Sequence, residues 1–112
     1  MADSKRQLKI KTDSVTRLGK ELSYYVKEQE GLERKLSALR QSQADPYDIK
    51  KTEEFVDETV SVVQDTHSRL VKSYADLEGY VKQNHGQDGL AGSEELTKAE
   101  AALESAASLI RS

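Results

Sequence analysis

Asp45-Pro46-Tyr47-Asp48 separates two apolar repeats, and the fold depends on how these four residues are read. Proline suits the first position of a helix, where its missing N–H would have no partner. Its ring also disfavours the α region for the residue before it, so an incoming helix has to stop by about Ala44. Asp45 then serves as an N-cap, its carboxylate accepting from the free amides of the first turn. Asp48, three residues on, stands where a capping box places an acid. The stretch reads as the corner of a helical hairpin.

Upstream of the corner, Val15, Leu18, Leu22, Tyr25, Gln29, Leu32, Leu36 and Leu39 recur at alternating steps of three and four. This heptad pattern predicts a helix over about 13–42, with Thr12, Asp13 or Ser14 as its cap. Residues 1–11, basic through Lys5, Arg6, Lys9 and Lys11, are expected to lead into it. Gln29 is the one polar residue on that stripe and suits a register-fixing layer, while Gly19 and Gly31 fall off it. Downstream, Ile49, Glu53, Val56, Val60, Val63, His67, Leu70, Tyr74, Leu77 and Val81 continue the alternation and predict a helix over about 46–84. Asn84-His85-Gly86 closes that helix, and a flexible glycine-rich loop is expected over about 85–92. Ser93 is an N-cap for a third helix to about 111, with Glu94 and Glu95 where the helix dipole favours acids.

The expected fold is all-α: a single domain forming an elongated antiparallel three-helix bundle with left-handed, coiled-coil-like packing. At 1.5 Å per residue the third helix is about 28 Å long, against about 45 and 58 Å for the other two. Running back from Asn84, it covers only the C-terminal half of the second helix. Next to Pro46 a two-helix hairpin is left, with apolar surface open to a partner.

Composition supports this class. The 112 residues are 33% charged and 36% hydrophobic, with one Pro and no Trp, a balance that suits a helical bundle rather than a sandwich or barrel. A net charge of −3 provides no basic footprint for nucleic acid. Without cysteine there is neither a disulfide framework nor a thiolate site. No apolar run approaches the roughly 20 residues of a membrane span. The polar start, Met1-Ala2-Asp3-Ser4-Lys5-Arg6, is unlike a signal peptide, and neither Ala2 nor the end Leu109-Ile110-Arg111-Ser112 carries a lipidation signal. A soluble cytoplasmic protein is expected, without nucleic-acid or membrane partners.

No group of residues suggests catalysis. His67 lies on the apolar stripe and His85 in the loop, without the ligand spacing that a metal requires. Gly86-Gln87-Asp88-Gly89-Leu90-Ala91-Gly92 has the glycines of a phosphate loop but neither its Gly-Lys-Ser/Thr ending nor a preceding strand. The acid pairs Glu53-Glu54 and Glu94-Glu95 read as solvated helix faces. The protein is therefore expected to be neither an enzyme nor dependent on a cofactor or metal, and its function has to reside on its surface.

There, Phe55 and Val62 stand seven residues apart on one stripe of the second helix. Thr52, Thr59, Thr66, Ser73 and Tyr80 form the adjoining row, an apolar flank for a position expected to face water. With Tyr24 from the first helix, Phe55 and Val62 make a candidate partner-binding patch, rimmed by Lys20, Lys27, Lys51, Glu54, Glu58 and Asp65. The alternative is that helix packing buries Phe55 and Val62. As core positions, Leu36 and Val63 are expected to cost about 2–5 kcal/mol, or somewhat less, on truncation to Ala.

Three stretches together resemble the tubulin-binding cofactor A family. They are Leu8-Lys9-Ile10-Lys11-Thr12, then Asp45-Pro46-Tyr47-Asp48-Ile49-Lys50-Lys51, then Glu58, Asp65, Arg69-Leu70, Tyr74 and Asp76-Leu77. The resemblance covers about residues 6–81. It implies an antiparallel three-helix bundle without a cofactor, acting as a chaperone in the cytoplasm and at the cytoskeleton. Its implied partner is β-tubulin, captured as a folding intermediate after the chaperonin and passed on towards the α/β heterodimer. Binding through helical faces rather than rod ends is implied too. Where many relatives carry Met-Met-Ile-Pro-Asp, this chain has Ser61-Val62-Val63-Gln64-Asp65, so a straighter second helix is expected. The competing readings are a coiled-coil oligomerisation or scaffold module and, on fold grounds alone, a vesicle-trafficking three-helix domain. A monomer or weak homodimer fits the chaperone reading.

Overall fold

The computed structural model describes residues 2–87 and 89–112. They form three helices, α1 (Ala2–Gln41), α2 (Pro46–Asn84) and α3 (Glu94–Arg111), and no strand among the described residues.

At the corner, Asp45 caps α2: its Oδ1 accepts from the Tyr47 amide at 2.8 Å, and its carbonyl accepts from Ile49 N at 3.1 Å. On the other side α1 ends in a Schellman turn. Ala44 N donates to Leu39 O at 3.0 Å and Gln43 N to Arg40 O at 3.2 Å, which occupies carbonyls that the helix end would leave free. That turn needs a left-handed residue, and Gln43 supplies it at φ 56° where Gly is usual. Gln43→Gly is therefore expected to stabilise the protein by about 1 kcal/mol by relieving the Cβ clash. Gly79 offers a second gain: it lies inside α2, and a Cβ there would meet nothing within 4 Å. Gly79→Ala is expected to add about 1 kcal/mol through backbone entropy. Urea midpoints of the two single variants check both.

α1 begins some ten residues earlier than the capping signals at Thr12–Ser14 suggest. Leu8 is 1% exposed and lies one heptad before buried Val15, so burial carries the helix through the expected cap. Thr12, itself buried, turns its hydroxyl back to donate to Leu8 O at 2.7 Å instead of capping a turn.

The chain divides into two compact units, with α1 and α2 running through both. The first unit, Met1–Lys20 with His67–Ser112, holds parts of α1 and α2 and all of α3. Lys11 Nζ reaches Asp76 Oδ2 at 2.8 Å, Ser14 meets Ser73 at 3.2 Å, and Tyr80 donates to Ser4 O at 3.3 Å, so α1 and α2 are antiparallel. α3 runs with α1 and against α2: Leu109 lies beside Gly19, and a ring nitrogen of His67 is 3.1 Å from Ile110 O. Leu8, Val15 and Leu18, with Leu70, Leu77, Leu96, Ala99 and Ala106, form this unit's core. The glycine-rich loop contributes one side chain to this core. Leu90 is 1% exposed, Ser93 N donates to Leu90 O, and Ser93 Oγ caps α3 by accepting from Leu96 N at 3.1 Å. Asp88 of that loop lies outside the described residues.

The second unit, Glu21–Thr66, is a two-helix hairpin. Leu22 and Leu36 are its buried residues on α1, and the row buried on α2 is Thr52, Thr59 and Thr66. The threonines thus occupy the seam, whereas Ile49, Val56, Val60 and Val63 are only half-buried. The physical reason lies in the side chain. A threonine hydroxyl can donate to the carbonyl four residues back, as Thr52 does to Asp48 O and Thr59 to Phe55 O, both at 2.9 Å. With its donor satisfied inside the helix, such a threonine behaves as a small, largely apolar side chain that permits close approach.

Candidate partner-binding surface

The buried threonine row determines what lies beside it. Phe55 precedes Thr59 by four residues, and Val62 precedes Thr66 by four, about 40° around the helix in each case. The two side chains therefore flank the seam without entering it, 42% and 39% exposed. They stand about 10 Å apart along α2 and form one apolar stripe.

Lys51 sits one turn before Phe55, with its Nζ 5.8 Å from the ring centroid, a cation–π arrangement on the exposed edge of the stripe. Glu54, Glu58 and Asp65 are exposed on the same helix. Tyr24 is the most exposed of the three candidate apolar residues at 64%, and its ring makes an edge contact with Tyr25 at 5.3 Å. It follows buried Leu22 by two residues, about 200° around α1, so it points away from the seam that Phe55 and Val62 border. Tyr24 is a separate outlying ring, not part of a continuous patch with that pair.

Lys20 belongs to the first unit, and the other rim residues, Lys27 among them, belong to the second. Glu53, expected on the seam, is half-buried and ion-paired to Arg40 at 2.7 Å. His67 is occupied at the end of α3 and His85 is exposed in the loop. Among the described residues no group of three His, Cys, Asp or Glu side chains could hold a metal ion, and no helix is long and apolar enough to cross a membrane.

The apolar surface expected on the hairpin next to Pro46 takes the form of a groove: on the flank of the threonine row opposite Phe55 and Val62, Leu36, Val56 and Val60 line an open space of about 490 Å³. The periodicity places all three on the seam: Leu36 is buried there, whereas Val56 and Val60 are only half-buried, because the regularly spaced Thr52, Thr59 and Thr66 take the closest contact.

Residues 3–103 match the family model for tubulin binding cofactor A. The chain belongs to the tubulin binding cofactor A family. Tubulin-specific chaperone A of Homo sapiens is 37% identical over 106 residues, covering 94% of this chain and 95% of that one. Tubulin-folding cofactor A of Arabidopsis thaliana is also 37% identical, over 89 residues that cover 80% of this chain and 79% of the plant protein. The crystal structure of the Arabidopsis cofactor superposes with a TM-score of 0.85 at 30% identity, over 96% of this chain and 99% of that one. Rbl2p, a β-tubulin binding post-chaperonin cofactor, superposes at 0.79 with 32% identity, over 95% of this chain and 99% of its own. The cofactor A fold therefore accounts for the three-helix arrangement.

Proposed function

We propose that this protein is a tubulin-folding chaperone of the cytoplasm that captures β-tubulin folding intermediates after the chaperonin and passes them on towards α/β heterodimer assembly. Membership of the cofactor A family carries the reading, and the names of the relatives point to tubulin as the client. It is the function of a binding protein, not of an enzyme.

The Phe55–Val62 stripe is the proposed contact for the client. Two exposed apolar side chains on a rigid helix bury area on association with little ordering of the backbone. Lys51, Glu54, Glu58 and Asp65 supply partner choice and salt sensitivity around it, and Tyr24 adds a contact for a client that wraps onto α1.

The test is native-gel capture of β-tubulin released from the chaperonin with ATP, with α-tubulin as the control. A new band with β-tubulin alone is expected; no band with either would remove the reading. Phe55→Ser combined with Val62→Ser is expected to weaken capture by about tenfold or more, while helicity and thermal midpoint stay close to the parent. A large loss of stability in that variant would instead give the two residues a structural role.

A further inference from the structure

The geometry points to a second interaction surface: the groove of Leu36, Val56 and Val60 receives an amphipathic helix with basic flanks from a partner protein. This stands independently of the Phe55–Val62 stripe, which lies on the other flank of the seam.

The heptads indicate what the groove is shaped for. Along α1, Gly19 packs against Leu109 of α3, and the same heptad position recurs at Val26, Glu33 and Arg40. Along α2, His67 meets Ile110 of α3, and the same position recurs at Val60 and Glu53. The positions that receive α3 in the first unit are thus repeated in the second, which contains no third helix among its described residues. The α1 stretch of the second unit is about 30 Å long, close to the roughly 27 Å of α3 itself. A helix of that length fits.

Charge selects the occupant. Arg40 and Glu53 neutralise each other in their 2.7 Å pair, which leaves Glu33 on the groove, and Asp57 against Lys50 in the adjoining hollow that shares Leu36 and Val56 with it. Glu33 accepts from a neutral donor, the Gln29 amide at 2.7 Å. A second copy of this chain is a poor fit: its α3 carries Glu94, Glu95, Glu100 and Glu104 against Lys98 and Arg111, so a swapped α3 would bring acid onto acid. A helix with an apolar stripe flanked by Lys and Arg meets both requirements.

The experiment uses the full chain and three fluorescein-labelled helical peptides the length of α3. One has a Leu/Ala stripe with Lys/Arg flanks, one has the same stripe with Glu flanks, and one is the sequence of α3. Fluorescence anisotropy is expected to show the basic peptide binding at least about tenfold more tightly than either of the others, and weakening several-fold as salt rises from about 50 to 300 mM. Val60→Ser is expected to lower its affinity about tenfold, and Phe55→Ser to leave it unchanged. Because Val60 is half-buried, the exposed double change Glu33→Lys with Asp57→Lys is the second variant. It is expected to abolish the preference for basic flanks while helicity is retained. No binding, equal binding of acidic and basic peptides, sensitivity to Phe55 instead of Val60, or tightest binding of the α3 sequence would each overturn the proposal.

Discussion

Leu77→Ala is expected to destabilise the protein by about 3–4 kcal/mol, moving the urea midpoint down by about 2 M. Leu77 is 0% exposed, on α2 where α1 and α3 both pack in the first unit. Its neighbours on three helices cannot all close on the space that truncation leaves, so the cavity term adds to the lost transfer energy. Val60→Ala provides the contrast. Val60 is half-buried beside an open groove that water already reaches, so no sealed cavity forms and a loss below about 1 kcal/mol is expected. A simple heptad reading ranks the two positions alike, since both fall on the same apolar alternation. Equal losses at both would show that the valine row, not the threonine row, forms the seam.

Local backbone chemistry was legible in the sequence. The corner was, because Asp45 and Pro46 act through local backbone chemistry that no distant residue has to confirm. The same holds for Ser93, whose cap depends on the first turn of α3 alone. The start of α1 was not: Thr12 carries a capping signal, and only burial beneath the other helices makes its hydroxyl turn inward to Leu8. Side-chain identity misled in the hairpin for a related reason. Hydropathy ranks Val above Thr, but a threonine that satisfies its hydroxyl within its own helix behaves at an interface as a small methyl-bearing residue. The ranking then reverses in favour of close approach. For the candidate stripe, the row containing Phe55 and Val62 was readable from the heptad. That Tyr24 stands apart from them was not, because it depends on the rotation of α1 about its axis relative to the seam. Open apolar surface on the hairpin was readable from the shortness of α3, but its place at Val56 and Val60 was not, because it follows from the threonine row taking the seam.

Gly19→Leu is expected to have the second large effect, displacing α3 from the first unit. Gly19 is buried, and even a methyl there would come to 3.2 Å from Leu109 Cδ1, closer than ordinary contact. Alanine can be accommodated if Leu109 rotates, and the gain in helix propensity, about 1 kcal/mol, roughly offsets that adjustment. Leucine adds three more carbons, which neither Leu109 nor the α1 backbone can make room for. Overpacking of this kind costs about 1–3 kcal/mol where the neighbours can yield. Here the neighbour that yields is a whole helix, held by Leu96, Ala99 and Ala106 and by the His67 contact to Ile110, next to the leucine that would be displaced. The expected result is a loss of hydrogen-exchange protection across α3 and at Leu90, whose burial in the loop depends on the packing of the first unit, while amides of the 21–66 hairpin keep theirs. Protection lost equally in the hairpin would mean that the two-helix unit does not stand without α3, and that the groove on it is not an independent surface.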